Sequence, residues 1–289
     1  MRHKAMNILV SLILATFILL AFPAERAGAE TVLEKISRTG KFTAGTSTIS
    51  IPFAYINDKK EWGGFSVDLI KEIHRRLERK LLKEITLELK EVAPTTRIPM
   101  VASRTIDIEC GSTTYTRSRD ETVDFSINFF FTGSQLLVKK GSLINSLRDL
   151  AGKRVGATEG TTNAKIIQAK EPEAQLVLFQ DHRQGFLALQ QGKIDAYSTD
   201  GIVLAGLVAT TPTSADFLVV GFFSKEPYSC IVPENDSRWR DFVNHTLMEL
   251  IENGRYFELY DKWFGDKGVV PYPMPSVVKL YILFQVMPE

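Results

Sequence analysis

Residues 154–169, RVGATEGTTNAKIIQA, decide the fold class. A short β-prone run at 154–157 breaks at a Glu159-Gly160-Thr161-Thr162 turn, and a helical period starts at 163–169. Strand, glycine turn and helix in that order form the first half of a βαβ unit, the building block of α/β proteins. The same stretch leaves unsatisfied backbone N–H groups at the helix start, a place that suits a carboxylate as well as a phosphate.

Working outward, the pattern continues with a strand at 176–179, a helix through Leu189 and a strand at 194–197. It is also present upstream. Residues 41–45 and 52–55 read as short strands, and Gly63-Gly64 turns into a helix whose apolar Val67, Leu69, Ile70, Ile73, Leu77 and Leu81 fall mostly three or four apart. A strand follows at 85–89, Thr96 caps a helix through Arg104, and a strand at 106–109 ends in Gly111-Ser112-Thr113-Thr114. The spacing thus predicts two α/β units with parallel sheets, the first ending near residue 133. Apolar stretches at 135–138 and 229–232 bracket the second unit and are expected to cross between lobes around a cleft. Helices are expected at 239–251 and 254–264, and the 277–287 run, too short to span a bilayer, reads as a docked C-terminal helix.

The N-terminus carries Arg2, His3 and Lys4 before an apolar run at 8–22, then Ala27-Gly28-Ala29. That layout predicts a cleaved signal peptide over residues 1–29 and export to the periplasm. Removing it takes away three of 35 basic and one of 34 acidic residues, leaving 32 against 33. Near-neutral, interspersed charge gives no electrostatic reason to expect nucleic acid. The two cysteines, Cys110 and Cys230, lie far apart in sequence, and in an exported chain they are expected to form one disulfide. The four histidines are scattered without zinc spacing, so no metal site is expected; no cofactor and no catalytic residue are expected either.

Several strings resemble the extracellular solute-binding family for polar amino acids, family 3: 64–69 (GFSVDL), 124–126 (DFS), 149–153 (DLAGK), 192–196 (GKIDA) and 261–264 (DKWF). Within it the chain is most similar to the periplasmic glutamate/aspartate-binding proteins of ABC transporters, on Arg97-Ile98-Pro99, 109–114 (ECGSTT), Gly160-Thr161-Thr162, Asp181-His182 and Tyr228-Ser229-Cys230. The resemblance implies a type II periplasmic binding protein fold, two α/β lobes joined by two hinge strands. The lobes are expected at 30–134 plus 231–289 and at 135–230. It also implies a monomer that binds an amino acid, hands it to an inner-membrane ABC permease and performs no catalysis.

By the same resemblance, Arg119 would take the α-carboxylate, with Thr114 and Thr162 donating from opposite lobes, and Asp200 and the Ser112 region would take the α-ammonium. Each residue also has an ordinary reading: Arg119 in an ion pair with Asp120 or Glu121, the hydroxyl residues as turn and cap residues, His182 as a helix cap. The acidic-ligand pattern is incomplete. Arg97 and His182 fit it, whereas Ser47 stands where a second arginine would and Pro94 where a serine would. A neutral side chain such as glutamine's or asparagine's, bonded to Ser47 or Thr48, therefore competes with an acidic one. Two other classes remain open: a periplasmic dehydratase of cyclic acids using Glu159 and His182, and a ligand-presenting sensor module.

Overall fold

The computed structural model describes residues 30–286; the expected signal peptide at 1–29 lies outside them, as does Met287 at the end of the last expected helix. From Val32 onward the chain is one compact unit built on two five-stranded sheets.

The first sheet has the order β5-β1-β6-β13-β7, from β1 (Lys41–Thr46), β5 (Thr86–Glu91), β6 (Ile108–Glu109), β7 (Val123–Thr132) and β13 (Glu226–Pro233). The second has the order β10-β9-β11-β8-β12, from β8 (Ser134–Lys139), β9 (Arg154–Thr158), β10 (Gln175–Phe179), β11 (Ala196–Asp200) and β12 (Phe217–Val220). A small hairpin sheet, β2 (Ile49–Ser50), β3 (Ala54–Ile56) and β4 (Trp62–Gly63), follows β1. The expectation of parallel sheets needs correction. β1 runs parallel to β5 and β6, and β9 to β10 and β11, but β7, β8, β12 and β13 pair antiparallel. The returning strands carry the chain between lobes and so run against the βαβ direction.

The segments 135–138 and 229–232 do not themselves cross: each lies inside one sheet, in β8 and β13. The chain passes between sheets at Gly133 and at residues 221–225. The expected boundary at 230/231 therefore falls within β13, whose pairing with β7 begins at Glu226.

Helices cover the sheets: α1 (Val32–Thr39), α2 (Phe65–Leu81), α3 (Arg97–Ala102), α4 (Arg117–Asp120), α5 (Thr162–Lys170), α6 (His182–Gln190), α7 (Gly201–Ala209), α8 (Ser237–Glu252), α9 (Arg255–Phe264) and α10 (Ser276–Leu283). The start of α2 shows why the sequence turns where it does. Gly64 sits at φ 127°, and a Cβ there would lie 2.1 Å from the Phe53 carbonyl oxygen, so only glycine fits. From there Phe65, Leu69, Ile70, Ile73 and Leu77 enter the main core with Phe42, Phe53, Phe130 and Trp239. Phe53 meets Phe65, Phe130 and Tyr228 edge-on, each burial contributing about 1.5–3 kcal/mol. Thr96 does not cap α3; its hydroxyl accepts from Ala93 N–H, closing the preceding turn instead.

Helix α7 was not foreseen because its apolar residues show no period. It packs on two sides at once: Ile202 and Val203 join the first core while Leu204 joins a core of the second sheet with Phe186 and Tyr197. Gly206 allows that approach, since a Cβ there would lie 2.1 Å from the Ile51 carbonyl oxygen in the hairpin of the other lobe. Cys110, just past β6, is bonded to Cys230 in β13, and both are fully buried.

Candidate functional site

The parallel strands fix the site's address. The chain leaves the carboxyl ends of β1 at Ser47, of β5 toward Pro94 and Arg97, of β6 at residues 110–114, of β9 at 159–162, of β10 at 180–182 and of β11 at Asp200. In open α/β sheets ligands gather at carboxyl ends, and here the carboxyl ends of the two sheets face one another. The cleft holds a cavity of about 370 Å³ lined by Ser47, Thr48, Arg97, Glu109, Ser112 and His182, among others. A tight inner pocket of about 10 Å³ shares Arg97, Ser112 and His182 with it and adds Thr114, Thr162 and Asp200.

Arg119 stands beside this pocket, and its partners are backbone carbonyls rather than Asp120 or Glu121. Nη1 donates to Thr114 O at 2.8 Å, and Nη2 reaches the other lobe to donate to Gly160 O at 3.1 Å. Burial and the nearby Arg97 charge hold its guanidinium down at about 10, so an anion arriving here would relieve a real electrostatic cost. Asp200 is buried, with Oδ1 accepting from Asn163 Nδ2 at 2.9 Å and Oδ2 from the Tyr228 hydroxyl. Burial and the Glu226 carboxylate push Asp200 up to about 6, a position that an arriving cation would reverse.

Thr114 and Thr162 are expected to donate from opposite lobes, and their hydroxyls are already spent within the protein. Both hydroxyl hydrogens go to Glu226 Oε2, at 2.6 and 2.8 Å. What Thr114 still offers as a donor is its N–H. The bridge between Thr114 and Tyr228 is made by Ser229 N–H to Thr113 O and Tyr115 N–H to Pro227 O, which directs the Thr114 N–H away from β13. At Thr162 the first-turn N–H groups of α5 serve the same purpose, the helix being capped by Thr161, which accepts from Ala164 N–H.

In the larger cavity Arg97 is buried. Its Nη1 donates to Ser112 O at 3.3 Å, and among the described residues its Nε has no partner. His182 opens α6 but does not cap it. Asp181 does, accepting from Gln184 N–H at 2.8 Å. His182 Nδ1 bonds Thr158 Oγ1 at 3.1 Å and the Tyr197 hydroxyl at 2.9 Å, which leaves Nε2 for the cavity. Burial and the Arg97 charge lower its pKa to about 4, so the ring is neutral at physiological pH. Glu109 is fully buried with Oε2 accepting from Thr113 Oγ1 at 2.7 Å; burial raises its pKa despite Arg97. Ser47 Oγ accepts from Ile49 N–H at 3.2 Å, and Thr48 Oγ1 donates to Glu91 at 2.6 Å.

The structure thus brings Ser47, Arg97, Ser112, Thr114, Thr162, His182 and Asp200 around one cleft, with Arg119 bridging its lobes. Glu226, Tyr228 and Asn163 were not anticipated. A signal existed: Glu226, Tyr228 and Cys230 alternate along one strand, and a glutamate at a buried strand position demands a polar role. Among the described residues no cluster of His, Cys, Asp and Glu is arranged for a metal, and no helix is long and apolar enough to cross a membrane.

Comparisons with known proteins agree with the fold. The L-glutamate/L-aspartate-binding protein of Pseudomonas aeruginosa is 34% identical over 262 residues, covering 86% of this chain and 87% of that one. The ABC transporter glutamine-binding protein of Bacillus subtilis is 34% identical, covering 84% and 88%. Among solved structures, an ancestral arginine-binding protein bound to glutamine superposes with a TM-score of 0.72 at 32% identity, covering 78% of this chain and 99% of its own. A family model matches residues 42–266, and the chain belongs to the bacterial extracellular solute-binding proteins, family 3.

Proposed function

We propose that the chain captures a polar amino acid outside the cytoplasm and delivers it to an ABC permease, without transforming it. The observation that carries this reading is the presence at one cleft of a buried guanidinium, Arg119 of α4, and a buried carboxylate, Asp200 at the end of β11, each displaced from its ordinary pKa in the direction an opposite charge would correct. A zwitterion supplies both charges. Its carboxylate meets Arg119, Thr114 N–H and the first turn of α5; its ammonium meets Asp200 and the Ser112 carbonyl. The side chain enters the larger cavity toward Arg97, His182 and Ser47.

Glutamate and aspartate suit the unspent donors of Arg97, whereas Ser47, Pro94 and the nearby Glu91 favour their amides. The ligand set is therefore glutamate, aspartate and related polar amino acids. Glu159, the acid a dehydratase would pair with His182, is exposed, while His182 itself is engaged by Thr158 and Tyr197. The inner pocket is too tight to admit a ligand as it stands, so binding requires the lobes to separate at Gly133 and 221–225 and then close. The same reading includes removal of residues 1–29 as a signal peptide and a monomer in the periplasm. A thermal-shift screen of ligand-stripped protein against the twenty amino acids tests it. One or a few polar amino acids should raise the melting temperature; a shift with none of them, or consumption of a cyclic acid, rules it out.

A further inference from the structure

Glu226 opens β13 immediately after the 221–225 crossing and is only 2% exposed. Its two oxygens divide the work. Oε1 accepts from Ser134 Oγ at 3.2 Å, just after the first crossing between the sheets, and from Ser224 Oγ at 2.5 Å, within the second. Oε2 accepts from Thr114 Oγ1 and Thr162 Oγ1, which line the inner pocket from opposite lobes.

A hydroxyl has one hydrogen, and a carboxylate can only accept. With their hydrogens committed to Glu226, the Thr114 and Thr162 hydroxyls can present only lone pairs to the pocket. Donors also line this pocket, at Arg97, His182 and Asn163, although Asn163 Nδ2 is spent on Ser134 and Asp200; the acceptors beside the two hydroxyls are Asp200 and Ser112. Asp200 is a carboxylate, and the Ser112 carbonyl has no hydrogen to give. The acceptors gathered on this pocket, two hydroxyls, the Asp200 carboxylate and the Ser112 carbonyl, are satisfied together by a group that carries several N–H donors and no acceptor, and an ammonium is such a group. A hydroxyl or a bare methylene in its place would leave buried lone pairs unmet, which costs more than the direct contact is worth.

We infer that Glu226 is a positioning residue that fixes the Thr114 and Thr162 hydroxyls as acceptors and thereby makes the cleft demand an α-ammonium. The inference rests on the amino-acid-binding reading and adds the origin of its amine requirement. The raised pKa of Asp200, caused in part by Glu226, agrees with a pocket that lacks its cation.

The test uses the full chain, stripped of ligand by unfolding and refolding, and calorimetric titration with two pairs of probes: L-glutamate with glutarate, and L-glutamine with glutaramate. Each pair differs only in the amine. In the unaltered protein the amino acid that binds should do so at least 100-fold more tightly than its deaminated partner. Glu226→Gln places an N–H donor against one of the hydroxyl pairs, and that preference should fall at least tenfold. Equal weakening of both partners would show a merely structural role and overturn the inference, as would an unchanged preference. Should Glu226→Gln not fold, Thr114→Val and Thr114→Ser decide the matter: valine should lose the preference and serine retain it. Equal preference in the two overturns the inference. If the unaltered protein binds no amino acid, the proposed function fails first; if it binds one and the variants keep its amine preference, only the role of Glu226 fails.

Discussion

Acidification is expected to separate the wild-type protein from a His182→Gln variant by about 2.5 kcal/mol of stability at about pH 4.5. In the folded chain the imidazole is buried beside Arg97, and its pKa is lowered from 6.5 to about 4. The unfolded chain therefore binds a proton as pH falls through 6.5, while the native state refuses one until about pH 4. Stability supplied by the neutral ring is complete above the unfolded value and is lost between the two. The full shift of about 2.5 units corresponds to about 3.4 kcal/mol, of which about 2.5 kcal/mol is expressed at about pH 4.5. Urea unfolding of both ligand-free proteins, at about pH 7.5 and about pH 4.5, measures it as a difference of differences. Carboxylates that lose stability in acid, such as Asp195 with Arg154, contribute equally to both and cancel. Wild type should lose more on acidification than the variant. A gap below about 0.5 kcal/mol would refute the reasoning, because the ring would then be solvated or already charged in the native protein.

Arg119→Ala is expected to abolish binding of every amino acid, whereas Arg97→Ala should mainly alter side-chain preference; calorimetry across the polar amino acids would contradict the division of roles if both variants lost all ligands equally. Asp200 must ionise to meet an ammonium, and its pKa is raised to about 6, so affinity should fall about tenfold per pH unit below that value and the slope should disappear in Asp200→Asn. Gly206→Ala pushes a Cβ against the Ile51 carbonyl and should destabilise the closed protein by about 1–3 kcal/mol, read from urea midpoints, even though alanine is the better helix former. Replacing both Cys110 and Cys230 by alanine should cost about 2–5 kcal/mol in the same assay, since the bond closes a loop with a sequence separation of 120.

What the sequence made legible follows from local rules. Glycine turns after β-prone runs placed Gly111 and Gly160 at the carboxyl ends where the cleft lies and Gly64 at the start of α2, because a turn's backbone needs are met within a few residues. Helix α2 was readable from its apolar stripe. Helix α7 was not: its sequence GIVLAGLVA is apolar all round because both lobes pack on it, so no period survives. The antiparallel strands escaped for a related reason. Pairing β13 with β7 is a contact between segments about a hundred residues apart, and nothing near residue 226 says which strand it will meet. The site divides the same way. Arg119, Asp200, Arg97 and His182 were found through a resemblance, whereas the acceptor role of the two threonines depends on Glu226, which reaches Thr114 only through the folded sheet.

The Cys110–Cys230 bond has a mechanical consequence. Tension applied between α1 and α10 follows the chain to Cys110, passes through the sulfur bridge and continues from Cys230, so everything between the two cysteines lies off the load path. The second sheet and its helices would feel no pull while the bond is intact. Reducing it would release a hidden contour of about 400 Å, at about 3.4 Å for each residue of the 120-residue separation. A single-molecule extension trace would therefore report the redox state of this chain as a difference in length.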